Sequence, residues 1–186
     1  MAKKTWINIS GTWTEVKNVW QNVGGVWKEK VLPKGNISGV WKEFMQYLVQ
    51  IYKEGIEYIP MVQARLGGTG SFVEKRASDI RIRSGGQFNN ENTSVATDIP
   101  IDLTNLSTLY VDWAASGPGD FSVAISPVKN SYFQSYTARI RNGSNFSRRV
   151  QSLDISSLSG EYYIIVHCVS GNLNFADVYL YELRIE

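Results

Sequence analysis

The hydrophobic and polar positions of the first 44 residues repeat with a period of 14. The three copies begin at Asn8, Asn22 and Asn36, and the first reads Asn-Ile-Ser-Gly-Thr-Trp-Thr-Glu. A fixed period indicates that each copy forms the same local structure. Fourteen residues suit a hairpin whose two strands have about five residues each. We therefore predict three hairpins, the first turning at Ser10-Gly11.

Side chains alternate along a strand, so the repeat also predicts which residues share a face. In the first copy Ile9 is predicted opposite Thr12, and Asn8 opposite Trp13. Together the hairpins are expected to form a six-stranded antiparallel meander with apolar groups on both faces. One face carries the repeat tryptophans, and exposed apolar patches mark interfaces. The predicted assembly interface consists of Trp6, Trp13, Trp20, Trp27 and Trp41.

This interface predicts that the protein associates with itself or with other proteins. We expect residues 1–44 to form an attachment module in a homo-oligomer, with a trimer favoured. The alternative is that the hairpin sheet packs on the C-terminal body and shares one core with it.

Residues 45–60 are predicted to connect the repeat to that body. The apolar residues between 44 and 52 fit helical spacing, with Gly55 placed to end a helix. The same region also alternates as two strands joined across Glu54-Gly55. Helix and hairpin both stay open.

From residue 61 onward, short alternating apolar runs are separated by turn signals such as Gly67-Gly68 and Asn142-Gly143. This pattern is typical of a two-sheet sandwich, and residues 61–186 are predicted to form a jelly roll. The fold class is thus all-β, a hairpin-repeat sheet followed by a jelly-roll β-sandwich. Strands are expected near 61–66, 71–75, 79–83, 93–97, 107–115, 120–126, 135–141, 147–154, 161–169 and 174–185.

Composition narrows the classes of function. The chain of 186 residues is 43% hydrophobic and can bury a core, while its net charge of +2 argues against nucleic acid as the main partner. No apolar run reaches the roughly 18 residues that span a membrane. No signal peptide is visible at Met1-Ala-Lys-Lys, so we expect synthesis in a cytoplasm.

Residues suited to catalysis are few. The only histidine and the only cysteine are His167 and Cys168, inside one predicted strand, where both are expected to be structural. The sequence predicts no catalytic residue, no metal site and no cofactor. A glycan hydrolase is the remote alternative, because pairs of aspartates can act as glycosidase acids. The available aspartates are Asp112, Asp120, Asp154 and Asp177.

A binding surface has better support. Tyr132, Phe133 and Tyr136 lie in a polar loop, with Arg148 expected nearby, and Tyr179 and Tyr181 form a second group on a strand. Sugar rings commonly cover exposed aromatic side chains. We therefore predict glycan binding at these residues, with packing on the sandwich rim or on another subunit as the alternative. Seven arginines could also meet an anionic polymer: Arg76, Arg81, Arg83, Arg139, Arg141, Arg148 and Arg149.

The repeat units resemble short hairpin repeats in minor structural proteins of tailed-phage and prophage tails, especially those infecting Gram-positive hosts. The phrases beginning at Ile101 and Ser152 look like the jelly-roll modules of such proteins, which resemble carbohydrate-binding domains. The resemblance implies a non-enzymatic tail or baseplate component located in the virion, with other tail proteins and host surface polysaccharide as partners. The alternative is a carbohydrate-binding adhesin or cell-wall-binding module.

Overall fold

The computed structural model describes residues 5–9, 12–16, 19–23, 26–30, 34–37, 40–43, 48–85, 91–130, 132–171 and 174–186, with side chains from residue 48 onward. The chain divides into two compact units, Met1–Leu48 and Val49–Glu186. Every regular element within the described ranges is a β-strand, so the predicted all-β class is confirmed. Those ranges contain no helix long and apolar enough to cross a membrane.

The first unit consists of three antiparallel hairpins in one common register. In the first, Ile9 pairs with Thr12 and Asn8 with Trp13, as the repeat predicted. The asparagine of each later copy likewise pairs with the tryptophan of that copy. The six strands are β1 (Thr5–Ile9), β2 (Thr12–Val16), β3 (Val19–Val23), β4 (Val26–Lys30), β5 (Lys34–Ile37) and β6 (Val40–Glu43).

The hairpins do not join into the predicted six-stranded meander within the residues that the structure describes. Each is a separate two-stranded sheet, so the strand pairing ends where each copy ends. The turn residues Ser10 and Gly11 and the side chains of the five repeat tryptophans lie outside the described part. The assembly interface therefore stays a prediction.

The second unit is a sandwich of two antiparallel sheets. The first sheet has the order β10-β11-β19-β14-β17, and β7 also pairs with β19. Strand β8 pairs with β7 alone. The strands of this sheet are β7 (Val49–Lys53), β8 (Ile56–Glu57), β10 (Phe72–Lys75), β11 (Ile80–Ser84), β14 (Thr108–Ser116), β17 (Phe146–Asp154) and β19 (Ala176–Ile185).

The second sheet has the order β16-β15-β18-β12-β9, and a short strand, β13, pairs with β18. Consecutive strands pass repeatedly from one sheet to the other, which is typical of a jelly roll. The strands are β9 (Met61–Arg65), β12 (Asn92–Thr97), β13 (Ile101–Asp102), β15 (Gly119–Ser126), β16 (Ala138–Asn142) and β18 (Glu161–Ser170).

The core lies between the sheets and follows from the alternation in the sequence. On β14 every second residue from Leu109 to Ala115 is buried. Trp113 is fully buried and donates a hydrogen bond from Nε1 to Gln151 Oε1 at 3.0 Å, while its ring meets Phe146 edge-on at 4.9 Å. Phe121 of the second sheet contacts the same Phe146 ring. All ten strands predicted between 61 and 185 are present.

The segment for which helix and hairpin stayed open is a hairpin over residues 49–57. Glu54 and Gly55 form its turn, and β7 adds to the edge of β19 beyond β11. The Glu54 amide donates to the Tyr181 carbonyl at 2.8 Å, which ties the turn to the sheet. The predicted domain limits at 44/45 and 60/61 stay predictions.

Candidate binding surfaces

A row of polar side chains crosses the outer face of the second sheet. Ser122, His167 and Ser94 are directly opposite one another on three adjacent strands. Arg141 and Arg65 continue the row onto the two edge strands. These residues face away from the core, because side chains alternate and the adjacent Cys168 and Phe121 point inward. Cys168 Sγ donates to Ala176 O of the first sheet, and Phe121 meets Phe146.

The loop predicted to bind glycans lies over this polar row. Residues 127–137 connect β15 to β16, and the Phe133 ring meets the His167 ring edge-on at 5.8 Å. Phe133 is only 6% exposed, so the prediction that it offers a stacking face to a ligand is wrong. The Phe133 ring packs against the sheet and is removed from water, so the Phe133 side chain anchors the loop.

Tyr132 and Tyr136 remain on the outside of the same loop. They are 62% and 43% exposed, respectively. The Arg65 guanidinium stacks on the Tyr132 ring at 3.6 Å, and the Arg139 guanidinium stacks on the Tyr136 ring at 4.0 Å. We call these four residues the tyrosine–arginine cluster. Because each ring is held by a cation, the cluster presents two oriented aromatic surfaces to solvent.

The floor beneath Phe133 contains polar atoms without partners among the described residues. Ser94 Oγ, Ser122 Oγ and His167 Nε2 are buried and make no hydrogen bond there. His167 Nδ1 lies 3.3 Å from Asn92 Oδ1. Because that oxygen accepts, Nδ1 carries the proton and Nε2 is an acceptor. Burial and then the charges of nearby arginines lower the pKa of His167 to about 4. The imidazole is thus neutral at pH 7.

The second predicted group lies on the outer face of the first sheet. Arg148 stacks on Tyr181 at 4.0 Å, and Arg81 lies over Tyr179 at 5.7 Å. Arg148 belongs to β17, so its expected place beside Tyr132 is wrong, and the structure joins it to Tyr181 instead. Sequence proximity suggested the wrong sheet because the chain crosses between sheets after β16.

The charges on this face are neutralised within the protein. Arg81 and Arg83 both bind Asp177, at 2.8 Å and 2.9 Å, and Arg148 binds Asp112 at 2.7 Å. Burial alone would raise the pKa of Asp177, but the hydrogen bonds from Arg83 and Arg81 outweigh it and lower the pKa. The face is therefore an ion-pair network in which the tyrosines are half-buried.

A cleft of about 610 Å³ opens at one end of the sandwich. The turns around Pro118 and Asn145 line it, together with Asp120 and Ser170. Asp120 is bound by Arg141 through Nε at 2.8 Å, which leaves the cleft without a free carboxylate at that position.

The aspartates considered for catalysis are engaged separately. Asp154 accepts hydrogen bonds from the Ser156 backbone and side chain, which lower its pKa. Asp112, Asp120 and Asp177 bind arginines, as described above. Burial raises the pKa of the Cys168 thiol well above its ordinary range, as a structural cysteine requires. Within the described ranges no group of three His, Cys, Asp or Glu residues could hold a metal ion.

Sequence reasoning missed Arg65 altogether and named Arg139 only as one of seven arginines that could meet an anionic polymer. Arg65 reaches the loop because β9 pairs with β12, and no local pattern reveals that pairing. The alternation of Arg139 and Arg141 on β16 indicated that both face outward. Their position relative to the loop came only from the structure, in which Arg139 Nη1 donates a hydrogen bond to the Phe133 carbonyl at 3.0 Å.

No protein-family model matches the chain, and no curated protein sequence matches it. Among solved structures, it is similar to the glycoside hydrolase domain Endo-D of Streptococcus pneumoniae, with 14% identity and a TM-score of 0.50. That likeness covers 68% of this chain but only 21% of Endo-D.

Two carbohydrate-binding modules also superimpose on the chain, at lower scores. A family 29 module has 9% identity and a TM-score of 0.49, over 75% of this chain and 91% of the module. The family 36 module, in complex with calcium and xylotriose, has 18% identity and a TM-score of 0.38, over 69% of this chain and all of the module. At these identities the likeness to Endo-D shows a common β-sandwich fold.

Proposed function

We propose that residues 49–186 form a non-catalytic carbohydrate-binding domain that stacks sugar rings on Tyr132 and Tyr136. The observation that supports this most directly is the exposure of both rings on an anchored loop. The C–H faces of sugars pack on such rings, and polar groups around them fix the orientation of the ligand. Two rings on one loop suit consecutive sugars of a polymer.

The loop is held before any ligand arrives. Phe133 anchors its centre, the Thr137 amide donates to the Ile125 carbonyl at 2.8 Å, and Lys129 binds Asp98 at 2.6 Å. Because binding energy is lost whenever a ligand must order a loop, this anchoring favours recognition. The separate partners of the four aspartates, arginines for three and Ser156 for Asp154, support a non-catalytic role, because a glycosidase acid needs a carboxyl with a raised pKa.

The test is binding to a panel of polysaccharides by affinity electrophoresis and calorimetry. We expect Tyr132→Ala and Tyr136→Ala each to weaken binding about five- to thirtyfold, since one stacked ring contributes about 1–2 kcal/mol. Tyr58→Ala is the matched control, because Tyr58 is 49% exposed and lies outside the cluster. Unchanged binding in both cluster variants would remove this site from consideration.

A second proposal concerns the three hairpins. We infer that residues 5–43 form an assembly module, because three copies with one register offer the same surface repeatedly. Placement in a phage tail or baseplate rests on the sequence resemblance alone and stays a prediction. The solution mass of the full chain tests the assembly proposal.

A further inference from the structure

The arginines of the sandwich fall into two groups, those that bind a carboxylate of the protein and those that do not. Six of the nine arginines bind a carboxylate of the protein. Three have no carboxylate within ion-pair distance among the described residues, and these are Arg65, Arg139 and Arg149. Two of those three belong to the tyrosine–arginine cluster. Guanidinium charge that no carboxylate of the described residues compensates is therefore concentrated at the proposed sugar site.

The two cluster arginines extend from opposite edges of one sheet. Arg65 ends β9 and Arg139 lies on β16, which are the two edge strands of five. Four strand spacings separate these strands by about 19 Å. The Arg65 guanidinium nevertheless lies 3.6 Å from the Tyr132 ring, and the Arg139 guanidinium lies 4.9 Å from the Phe133 ring of the same loop. Both side chains therefore reach toward the loop that covers the floor. The cluster thus has two positive groups facing one surface.

A partly buried guanidinium loses part of its hydration, and without a counter-ion nothing offsets that loss of free energy. Both arginines are half-buried, and Arg139 is bound by a carbonyl and two aromatic rings, none of which neutralises it. His167 is neutral at pH 7 and adds no charge of either sign. A guanidinium binds a carboxylate or sulfate through paired hydrogen bonds that are about twice as strong as neutral ones.

We propose that the polysaccharide taken by the tyrosine–arginine cluster is acidic, with its sugar rings on Tyr132 and Tyr136 and its anionic groups on Arg65 and Arg139. This inference rests on the proposed carbohydrate-binding function and names its ligand class. The small net charge of the chain, +2, favours a polysaccharide over nucleic acid, whose binding needs a broad basic surface.

Matched polymers test the charge requirement. Polygalacturonate and its fully methyl-esterified form share a backbone and differ in charge, so calorimetry should show at least tenfold tighter binding of the acid form, weakening as salt is added. Dextran sulfate, with dextran as its neutral match, shows whether sulfate replaces carboxylate. A single-stranded oligonucleotide bound as tightly as the acidic polymers would overturn the assignment to polysaccharide.

Matched variants test the residues. We expect Arg65→Gln and Arg139→Gln each to weaken binding of the preferred acidic polymer about tenfold more than binding of its neutral match. Both polymers lose the cation that holds the tyrosine ring, but only the acidic polymer also loses an ion pair. Arg149→Gln, which removes the unpaired arginine outside the cluster, should change neither. An equal loss with Arg149→Gln would show a diffuse charge effect and overturn the proposal. Melting temperatures check that each variant folds.

The failures of the two proposals differ. If charged and neutral polymers bind equally and Tyr132→Ala abolishes both, the acidic ligand is wrong and carbohydrate binding stands. If no polymer of either kind binds, both proposals are wrong.

Discussion

At the scale of single residues, His167 shows how a buried polar group sets a pH dependence. It lies under Phe133, and within the described part of the chain its hydrogen-bond partner is Asn92. Burial, and then the charges of Arg65 and Arg139, disfavour its protonated form. Its pKa is lowered to about 4, from an ordinary value near 6.5 in the unfolded chain. Between these values the unfolded chain binds more protons, so stability is complete above pH 6.5 and falls as the pH is lowered to 4.

We predict that this titration removes about 3 kcal/mol of the free energy of unfolding between pH 7 and pH 4. His167→Gln should lack that part of the decline, as measured by urea denaturation of both proteins at the two pH values. The aspartates with a lowered pKa, Asp102, Asp154 and Asp177, lose their contributions equally in both proteins, so the difference between the two pH profiles reports His167. Parallel pH profiles for the two proteins would contradict the prediction.

The same scale shows what a sequence reveals about a site. Aromatic residues in a polar loop correctly indicated Tyr132 and Tyr136 as exposed, but the same reasoning counted Phe133 with them. Which of three neighbouring aromatic residues turns inward depends on the floor below, and three distant strands supply that floor. Composition identifies the loop, whereas tertiary packing assigns the roles.

At the scale of elements, the hairpin of β7 and β8 depends on one glycine. Gly55 has φ of +86°, and a Cβ built there would lie 2.3 Å from the Ala77 carbonyl oxygen. The Gly55 amide also donates to the Tyr52 hydroxyl at 2.9 Å. A side chain at this position must strain the turn and displace the neighbouring backbone.

We predict that Gly55→Ala lowers the free energy of unfolding by about 2–4 kcal/mol, from the backbone conformation and the clash together. Gly143→Ala is the matched control, since a Cβ there meets nothing within 4 Å and no positive φ is present. Chemical denaturation should place the control within about 0.5 kcal/mol of the parent. Equal effects at both glycines would show that the hairpin tolerates a rearranged turn.

Elements were predictable where alternation was long. β14 alternates clearly over nine residues, and the fixed register of the repeat hairpins followed from the period. β18 was predictable for another reason, because its ten residues form a nearly continuous apolar run that is typical of a buried strand. β7 and β8 are short, so their apolar residues fitted a helix equally well until pairing with β19 was known. β13, with two residues, is too short for any periodicity to reveal it.

At the scale of the whole molecule, the partners of each strand came only from the structure. The sequence indicated two sheets, but pairing between strands as distant as β9 and β12 or β7 and β19 leaves no local signal. The arginines of the two outer faces look alike in the sequence. On the second sheet Arg141 binds Asp120, whereas Arg65 and Arg139 bind no carboxylate of the described residues, and this difference depends on which strands are neighbours.

The repeat makes a prediction about the molecule in solution. Three hairpins of one register pair an asparagine with a tryptophan at the same position of each copy, and the apolar residues of the repeat favour association. We expect light scattering of the full chain at micromolar concentration to give a multiple of 20.9 kDa, with three copies favoured. The full chain with Trp13, Trp27 and Trp41 each replaced by serine should give the mass of one copy.

Residues 49–186 alone provide the complementary measurement. They form a compact unit by themselves, so we expect this fragment to have the mass of one copy. Each of its sites should bind the polysaccharide with the same intrinsic affinity as a site of the full chain. Several copies of one weak site raise the apparent affinity for a polymer by avidity, so the full chain should bind the polymer more tightly than the fragment. A full chain of single-copy mass, with polymer affinity equal to that of the fragment, would contradict an assembly role for the repeat.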